Sequence, residues 1–360
     1  MLILAPFCAS AQATANGNAT PAAAAKVVLL VPSRGTRFAD AGDAIRRGFM
    51  AARRVAGDTS RVDVVETDET AAQLGAALAR ARERGAEVVV GPLTRDAVNA
   101  VVDAVRDPVE LVTLNYPDRD ALPPTLLAFG LSIDQEARQV ARAALGVAAD
   151  GAATRPPPPS RLLIVGGPAP LERRATEAFR RALVELGQTP AVVEPKFDAA
   201  GLSDLAAQYR DQAFDVVFLA LNAREAALVR ARLNRAVSWW ATSQVNPGNV
   251  VAQAVAGELS GIHFADMPWF LQPDQRAVAM YPRPSTDDGA ALPVEMERLY
   301  ALGIDAYRVA RIWMTGSTQF ELQGVTGELR IDRARSARVE RAPVFAVFRG
   351  GRIQLEGVGP

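Results

Sequence analysis

From Lys26 onward the chain alternates short runs of β-branched residues with stretches that carry apolar residues at helical spacing. Strands apolar on both faces need helices on both sides, so the alternation points to βαβ units on a parallel sheet. The run 27–31 (VVLLV) ends at Pro32. After a polar loop, Ser33-Arg34-Gly35-Thr36-Arg37, residues Ala41, Ile45, Phe49 and Ala52 recur at helical spacing. The unit then repeats. Residues 62–65 lead into a predicted helix over 70–84. Residues 88–90 lead through Gly91-Pro92 into a helix with Val98, Val101, Val102 and Val105 on one face and Thr94 at its N-cap. Further strands are expected at 111–114, ending in Asn115-Tyr116-Pro117, and at 126–129.

A second set follows. Ser132-x-x-Gln135 has the form of a capping box opening a helix to about 148. The run 156–159 is four prolines and reads as an exposed loop. Strands at 162–165, 191–193 and 216–221 alternate with helices marked by Ala175, Phe179, Leu183 and Leu186, then by Leu205 and Tyr209, then over 223–234. Beyond this set, 239–243 and 261–264 read as strands, 294–316 as two helices separated by Leu302-Gly303, and 324–331 with 344–348 as a late antiparallel hairpin. The predicted fold is α/β, with two Rossmann-like lobes joined by a hinge that the chain crosses repeatedly. Lobe 1 is expected to take 26–132 plus 265–316, and lobe 2 to take 133–264 plus 317–360.

Composition removes whole classes of chemistry. The 360 residues hold one cysteine, Cys8, and one histidine, His263, so no Cys/His zinc cluster can be assembled and any nucleophile–His site would have to use His263. Within a strand, His263 reads as a structural imidazole. Forty Lys and Arg balance forty Asp and Glu without a basic run, which argues against a nucleic-acid or anionic-membrane footprint. No catalytic residues, cofactor or metal are expected. The segment 1–7 (MLILAPF), followed by Ala9-Ser10-Ala11 and Ala11-Gln12-Ala13, looks like the back half of a secretory signal, here a truncated signal and tether over 1–25. Membrane attachment is expected only if Cys8 is acylated.

In open parallel sheets, ligands sit at the carboxyl ends of the strands. The residues placed there are Ser33, Arg34, Gly91, Pro92, Leu93, Thr94, Asn115 and Tyr116, with Asp305 and Tyr307 near a later helix. Backbone amides after Gly91-Pro92 suit a carboxylate, although Ser33 and Thr94 equally suit capping. No phosphate-binding glycine spacing is present. The segment Phe264-Ala265-Asp266-Met267-Pro268-Trp269-Phe270 joins one charge to a rigid apolar surface. Phe264, Asp266, Met267 and Trp269 are therefore candidate partner or cleft anchors, with core packing as the alternative. Of the adjacent Trp239 and Trp240, one is expected in the core. The pair Asp287-Asp288 reads as solvated loop.

Several stretches resemble the LppC family of penicillin-binding protein activators, on a type I periplasmic-binding fold. They are LLVPSRGTRFADAGDAIRRGF (29–49), VVVGPLTRDAV (88–98), TLNYP (113–117), AFGLSIDQEA (128–137), HFADMPWFL (263–271), ERLYALGIDAYRVA (297–310) and GVTGELRID (324–332). The resemblance implies a non-enzymatic periplasmic regulator, outer-membrane associated if lipidated. It would bind and stimulate a bifunctional penicillin-binding protein, the peptidoglycan synthase. A periplasmic receptor closing on an amino acid or another small amphipathic ligand in the inter-lobe cleft is the alternative.

Overall fold

Strand β1 (Val27–Pro32) is buried along its whole length because helices cover both of its faces. Val27, Leu29 and Val31 share a core with Ile45 and Phe49 of α1 (Ala39–Val55). Val28 and Leu30 share another with α2 (Ala71–Glu83) and α3 (Arg95–Ala104). The computed structural model describes residues 26–104, 110–147, 160–233, 237–248, 257–286 and 288–357. The leader with Cys8, the proline run 156–159 and Asp287 lie outside them. With β2 (Val62–Thr67), β3 (Val88–Val90), β4 (Leu111–Thr113) and β5 (Leu126–Ala128), β1 forms a parallel sheet in the order β2-β1-β3-β4-β5.

The second sheet joins β6 (Leu162–Gly166), β7 (Ala191–Val193), β8 (Val216–Ala220), β9 (Ser238–Ala241) and β10 (Ile262–Asp266) in parallel. Helices α4 (Ile133–Ala144) and α5 (Pro170–Glu185) cover one face, α6 (Ala199–Tyr209) and α7 (Ala223–Arg232) the other. Two short helices, α8 (Pro268–Leu271) and α9 (Arg276–Ala279), then lead to the long α10 (Val294–Trp313). A third, antiparallel sheet is β11 (Gln319–Gln323), β12 (Glu328–Asp332) and β13 (Glu340–Ala342). Finally β14 (Val344–Arg349) and β15 (Arg352–Leu355) extend the second sheet beside β10, antiparallel to it and to each other.

Three sequence expectations need correction. Residues 294–313 form one helix, because Gly303 is a packing residue rather than a break. A Cβ at Gly303 would lie 2.2 Å from the Ile45 carbonyl oxygen, and one at Gly48 would lie 1.9 Å from that of Tyr300. The two glycines thus let α1 and α10 cross backbone to backbone. The late strands are antiparallel, but 328–332 does not pair with 344–349: the former sits between β11 and β13, the latter between β10 and β15. And residues 319–342, assigned to lobe 2, pack on the first. Val325, Leu329, Ile331 and Val339 join the core of α1 and α10, and 337–339 hydrogen-bonds along Ala128 and covers the edge of β5. The chain therefore passes between lobes after β5, after β10, and between β13 and β14.

Candidate functional site

The carboxyl ends of β1, β3 and β4 bring Ser33, Arg34, Gly91, Pro92, Leu93, Thr94 and Asn115 to one edge of the first sheet, as expected. What they hold there is the protein itself. The Glu69 carboxylate accepts hydrogen bonds from the backbone amides of Leu93 (2.7 Å) and Thr94 (3.0 Å), the amides expected to bind a ligand carboxylate. Glu69 takes this position with φ +55°, the one non-glycine residue with positive φ among the described residues. Thr94 caps α3, its Oγ1 accepting from the Ala97 amide at 3.3 Å. Asn115 donates to the Leu93 carbonyl at 3.1 Å and accepts from the Tyr116 amide. Ser33 caps no helix; its hydroxyl donates to Asp68. Arg34 is exposed beside Glu66 at 3.6 Å. Gly91 has φ +110°, and a Cβ there would meet the Leu30 carbonyl at 2.4 Å.

Three residues expected at the cleft are elsewhere. Tyr116 is buried, with its hydroxyl on the Val339 carbonyl (2.9 Å), so it anchors the segment that covers β5. Asp305 is wholly buried. Its oxygens accept from the amides of Val325 and Thr326, the Thr326 hydroxyl and Arg308, and so hold the turn after β11. Tyr307 packs edge-on against Phe49 and donates to Asp58 at 2.8 Å, at the far end of α1.

The four anchor candidates are all buried. Trp269 has no exposed surface: its indole NH donates to Glu297 (3.1 Å), Arg283 lies over its ring at 4.0 Å, and it belongs to the first-lobe core. Phe264 stacks on Phe348 inside the second lobe. These two are core residues and not contact residues. Trp239 is likewise in the core, while Trp240 is half-buried and stacks on His263, whose Nδ1 lies 2.6 Å from Glu356. Asp288 is bonded by the Thr286 hydroxyl.

Asp266 and Met267 stand at the hinge crossing, where the structure assembles a site that sequence reasoning did not name. Arg298, from α10, donates to both carboxylate oxygens of Asp266 and to the Ser243 carbonyl (3.0 Å). Asn246 adds a 2.7 Å bond to Asp266. From α4, Glu136 accepts from the Ser243 amide and hydroxyl. Burial pushes the Glu136 carboxyl up to about 7; the Asp266 charge adds to this, while the Ser243 bonds and Arg298 oppose it. Burial works against the Arg298 cation too, but Asp266 outweighs it and the guanidinium titrates above its usual range. Beside this network is a half-open cavity of about 120 Å³ between the lobes, reached also by Gln135, Gln139, Gln244, Glu295 and Arg341. None of the expected first-lobe residues lines it.

The second sheet repeats the theme of the first. At the ends of β6 and β8, buried Glu172 accepts from the Ala169 amide (3.1 Å) and from the amide and side chain of Asn222. A Cβ on Gly167 would lie 2.1 Å from its Oε2. Burial and the adjacent Glu172 push Glu225 up to about 7. Asp134 pairs with Arg174 of α5 within the second lobe and, at 3.9 Å, with Arg95 of α3 across to the first. Of the missed residues, Glu136 follows Ser132-x-x-Gln135 directly and Arg298 lies in ERLY, but single acids and arginines on helix surfaces carry no signal of their own.

Two α/β lobes on parallel sheets, linked by a hinge at the strand ends, define a type I periplasmic-binding-protein-like chain. The chain belongs to the LppC family, described as "LppC putative lipoprotein", whose model matches residues 18–157 and 169–351. A penicillin-binding protein activator LpoA of Photobacterium profundum is 27% identical over 365 residues, covering 89% of this chain and 55% of that protein. The chain thus spans about half the length of the curated relatives it matches. Among solved structures, the C-domain of LpoA from Haemophilus influenzae, described as a regulator of PBP1A, has a TM-score of 0.72 at 21% identity, over 92% of this chain and 99% of that one. A chain described as a "putative branched-chain amino acid ABC transporter" from Chromobacterium violaceum has a TM-score of 0.70 at 32% identity, over 90% and 99%.

Proposed function

We propose that this chain is a non-enzymatic envelope regulator that binds a bifunctional penicillin-binding protein and stimulates its synthesis of peptidoglycan. Family membership and the activator relatives support the reading. The observation that carries it against the amino-acid receptor is Glu69 on the Leu93 and Thr94 amides. A receptor keeps such donors free for its ligand's carboxylate, because an anion at a helix N-terminus gains from several aligned amides at once. Here the chain fills that position itself, and Glu172 does the same at the strand ends of the second lobe. The family's lipoprotein description fits a chain facing the periplasm, and acylation of Cys8 would tether it to the outer membrane. Contact with the synthase would then be made by exposed surface of the lobes, since the Trp269 segment is interior.

The test is a titration of the full chain against the periplasmic portion of a bifunctional penicillin-binding protein from the same organism, with free amino acids titrated in parallel. Saturable binding of the synthase without amino-acid binding supports the regulator. Amino-acid binding without synthase binding overturns it.

A further inference from the structure

Strand β11 leaves one side of its backbone open. The Arg333 amide donates to the Thr318 carbonyl at 3.0 Å, and that of Gly324 to the Gly327 carbonyl at 2.9 Å. In the same register Phe320 faces Ile331 and Leu322 faces Leu329, so these residues carry the ladder to β12. Bonding alternates along an antiparallel pair, and the amides and carbonyls of Gln319, Glu321 and Gln323 therefore point away from β12. β11 is the edge of its sheet, and among the described residues no strand pairs with that side. Two other edges are guarded: 337–339 covers β5, and the three-residue β7 stands between Pro190 and Pro195. β11 is five residues long and holds neither proline nor lysine.

The two faces of this edge differ. Phe320 and Leu322 turn inward onto the first-lobe core. Beside Leu322 lies a groove of about 540 Å³, walled by Tyr307 and Ile312 of α10 and by 56–59. Its charged groups are matched within the chain: Asp58 with Tyr307 (2.8 Å) and Arg311 (2.9 Å), Arg308 with Asp305 (3.1 Å). What the groove offers is room for uncharged side chains. The outer face is acidic. Arg330 lies 3.3 Å from Glu321 and 2.7 Å from Glu328 and stands opposite Glu340, so one guanidinium serves three carboxylates. Asp332, on the same face, has Arg335 at 3.5 Å. The Glu321 side chain is 70% exposed, and among the described residues Arg330 is the cation paired with it.

We propose that β11 is a docking edge, at which an extended segment of a partner protein adds as a further strand. The segment bonds to the backbone of Gln319, Glu321 and Gln323. Its side chains are alternately apolar, beside Phe320 and Leu322, and basic, opposite Glu321. Main-chain bonds give such a complex its affinity and alternate side chains its specificity. Opposite charges facing each other across a strand pair add to this, and like charges subtract. That the partner is the peptidoglycan synthase rests on the regulator reading; the chemistry of the edge does not.

The experiment titrates the full chain with a short capped peptide of alternating lysine and valine, with the same residues in two blocks, and with alternating glutamate and valine. The periplasmic portion of the synthase is titrated in parallel. The alternating lysine peptide should bind saturably, at least tenfold more tightly than either control, and should slow hydrogen exchange at the amides of residues 319, 321 and 323. Gln323→Pro removes one outward amide and no ladder bond, so it should weaken peptide and synthase binding at least tenfold while exchange at 320 and 322 is unchanged. Glu321→Lys should reverse the preference between the charged peptides. No saturable binding of the lysine peptide, no added protection of the three amides, or undiminished binding by a folded Gln323→Pro would overturn the proposal. If Gln323→Pro does not fold, exchange on the unaltered chain decides alone. Synthase binding that survives Gln323→Pro sinks the edge and leaves the regulator standing. Peptide binding without synthase binding sinks the regulator and leaves the edge.

Discussion

Arg298, on the long helix of the first lobe, donates to both carboxylate oxygens of Asp266, the last residue of a central strand of the second. The Asp266 side chain is fully shielded from solvent and that of Arg298 is 7% exposed. The pair stands where the chain crosses between lobes. Swinging the lobes apart at this point would strain the pair and leave two charges in a poorly solvated hinge, which opposes that motion. That stiffness suits a platform presented to another protein.

Breaking this pair should be expensive. Arg298→Met leaves the buried Asp266 carboxylate with the Asn246 side chain and the Met267 amide but no counter-charge, and removal of one partner of a buried ion pair costs about 3–5 kcal/mol. Urea denaturation should show that loss. Arg298→Met combined with Asp266→Leu should recover much of it, because the stranded charge is gone.

Stability should fall as the pH rises from about 4.5 to about 7, with Glu136 as one cause. Its carboxyl is neutral to a higher pH in the folded chain than in the unfolded one. The folded state thus binds more protons in that window, and the slope of unfolding free energy with pH is negative. Glu225, also raised to about 7, adds a second contribution. The difference between the unaltered chain and Glu136→Gln isolates the first. It should be on the order of 1–3 kcal/mol, accumulated across the window and constant above it.

Trp269→Ala should act on folding rather than on association. The ring fills core between Tyr300 and Arg283, and truncation of a buried aromatic costs about 3–5 kcal/mol. Trp269→Phe should lose less. Synthase affinity measured on the folded Phe variant should match that of the parent chain.

Glu69→Ala should lower the melting temperature, since two amides at the start of α3 lose a charge-assisted partner; about 1–2 kcal/mol is expected. Thr94→Ala should cost about 1 kcal/mol through loss of the N-cap alone. Neither change should reduce binding of the synthase, and thermal unfolding beside a binding titration checks both.

The lobes were legible in the sequence because doubly covered strands leave a local mark. Val27, Leu29 and Val31 face one helix layer, Val28 and Leu30 the other, and nothing distant is needed to see that such a run is interior. Thr94 and Ser132 were readable as caps for the same reason: the bond spans three residues. Gly303 misled because a glycine that ends a helix and one that admits a neighbouring backbone look alike until Ile45 is placed against it. The strand 328–332 misled because antiparallel strands near in sequence read as a hairpin, whereas the partner of 344–349 is β10, some eighty residues earlier. The site was least legible. Glu69 reaches Leu93 across 24 residues, Glu136 reaches Ser243 across 107, and Arg341 meets Gly130 across 211, so only the closed topology brings them together.

The central claim is tested most directly by the rate at which a purified bifunctional penicillin-binding protein from the same organism makes and cross-links glycan, measured with increasing full-length chain. The account predicts a saturable rise in rate, retained by Thr94→Ala and Trp269→Phe. A rate that stays flat to concentrations well above those at which the two proteins are mixed in the binding titration would contradict it.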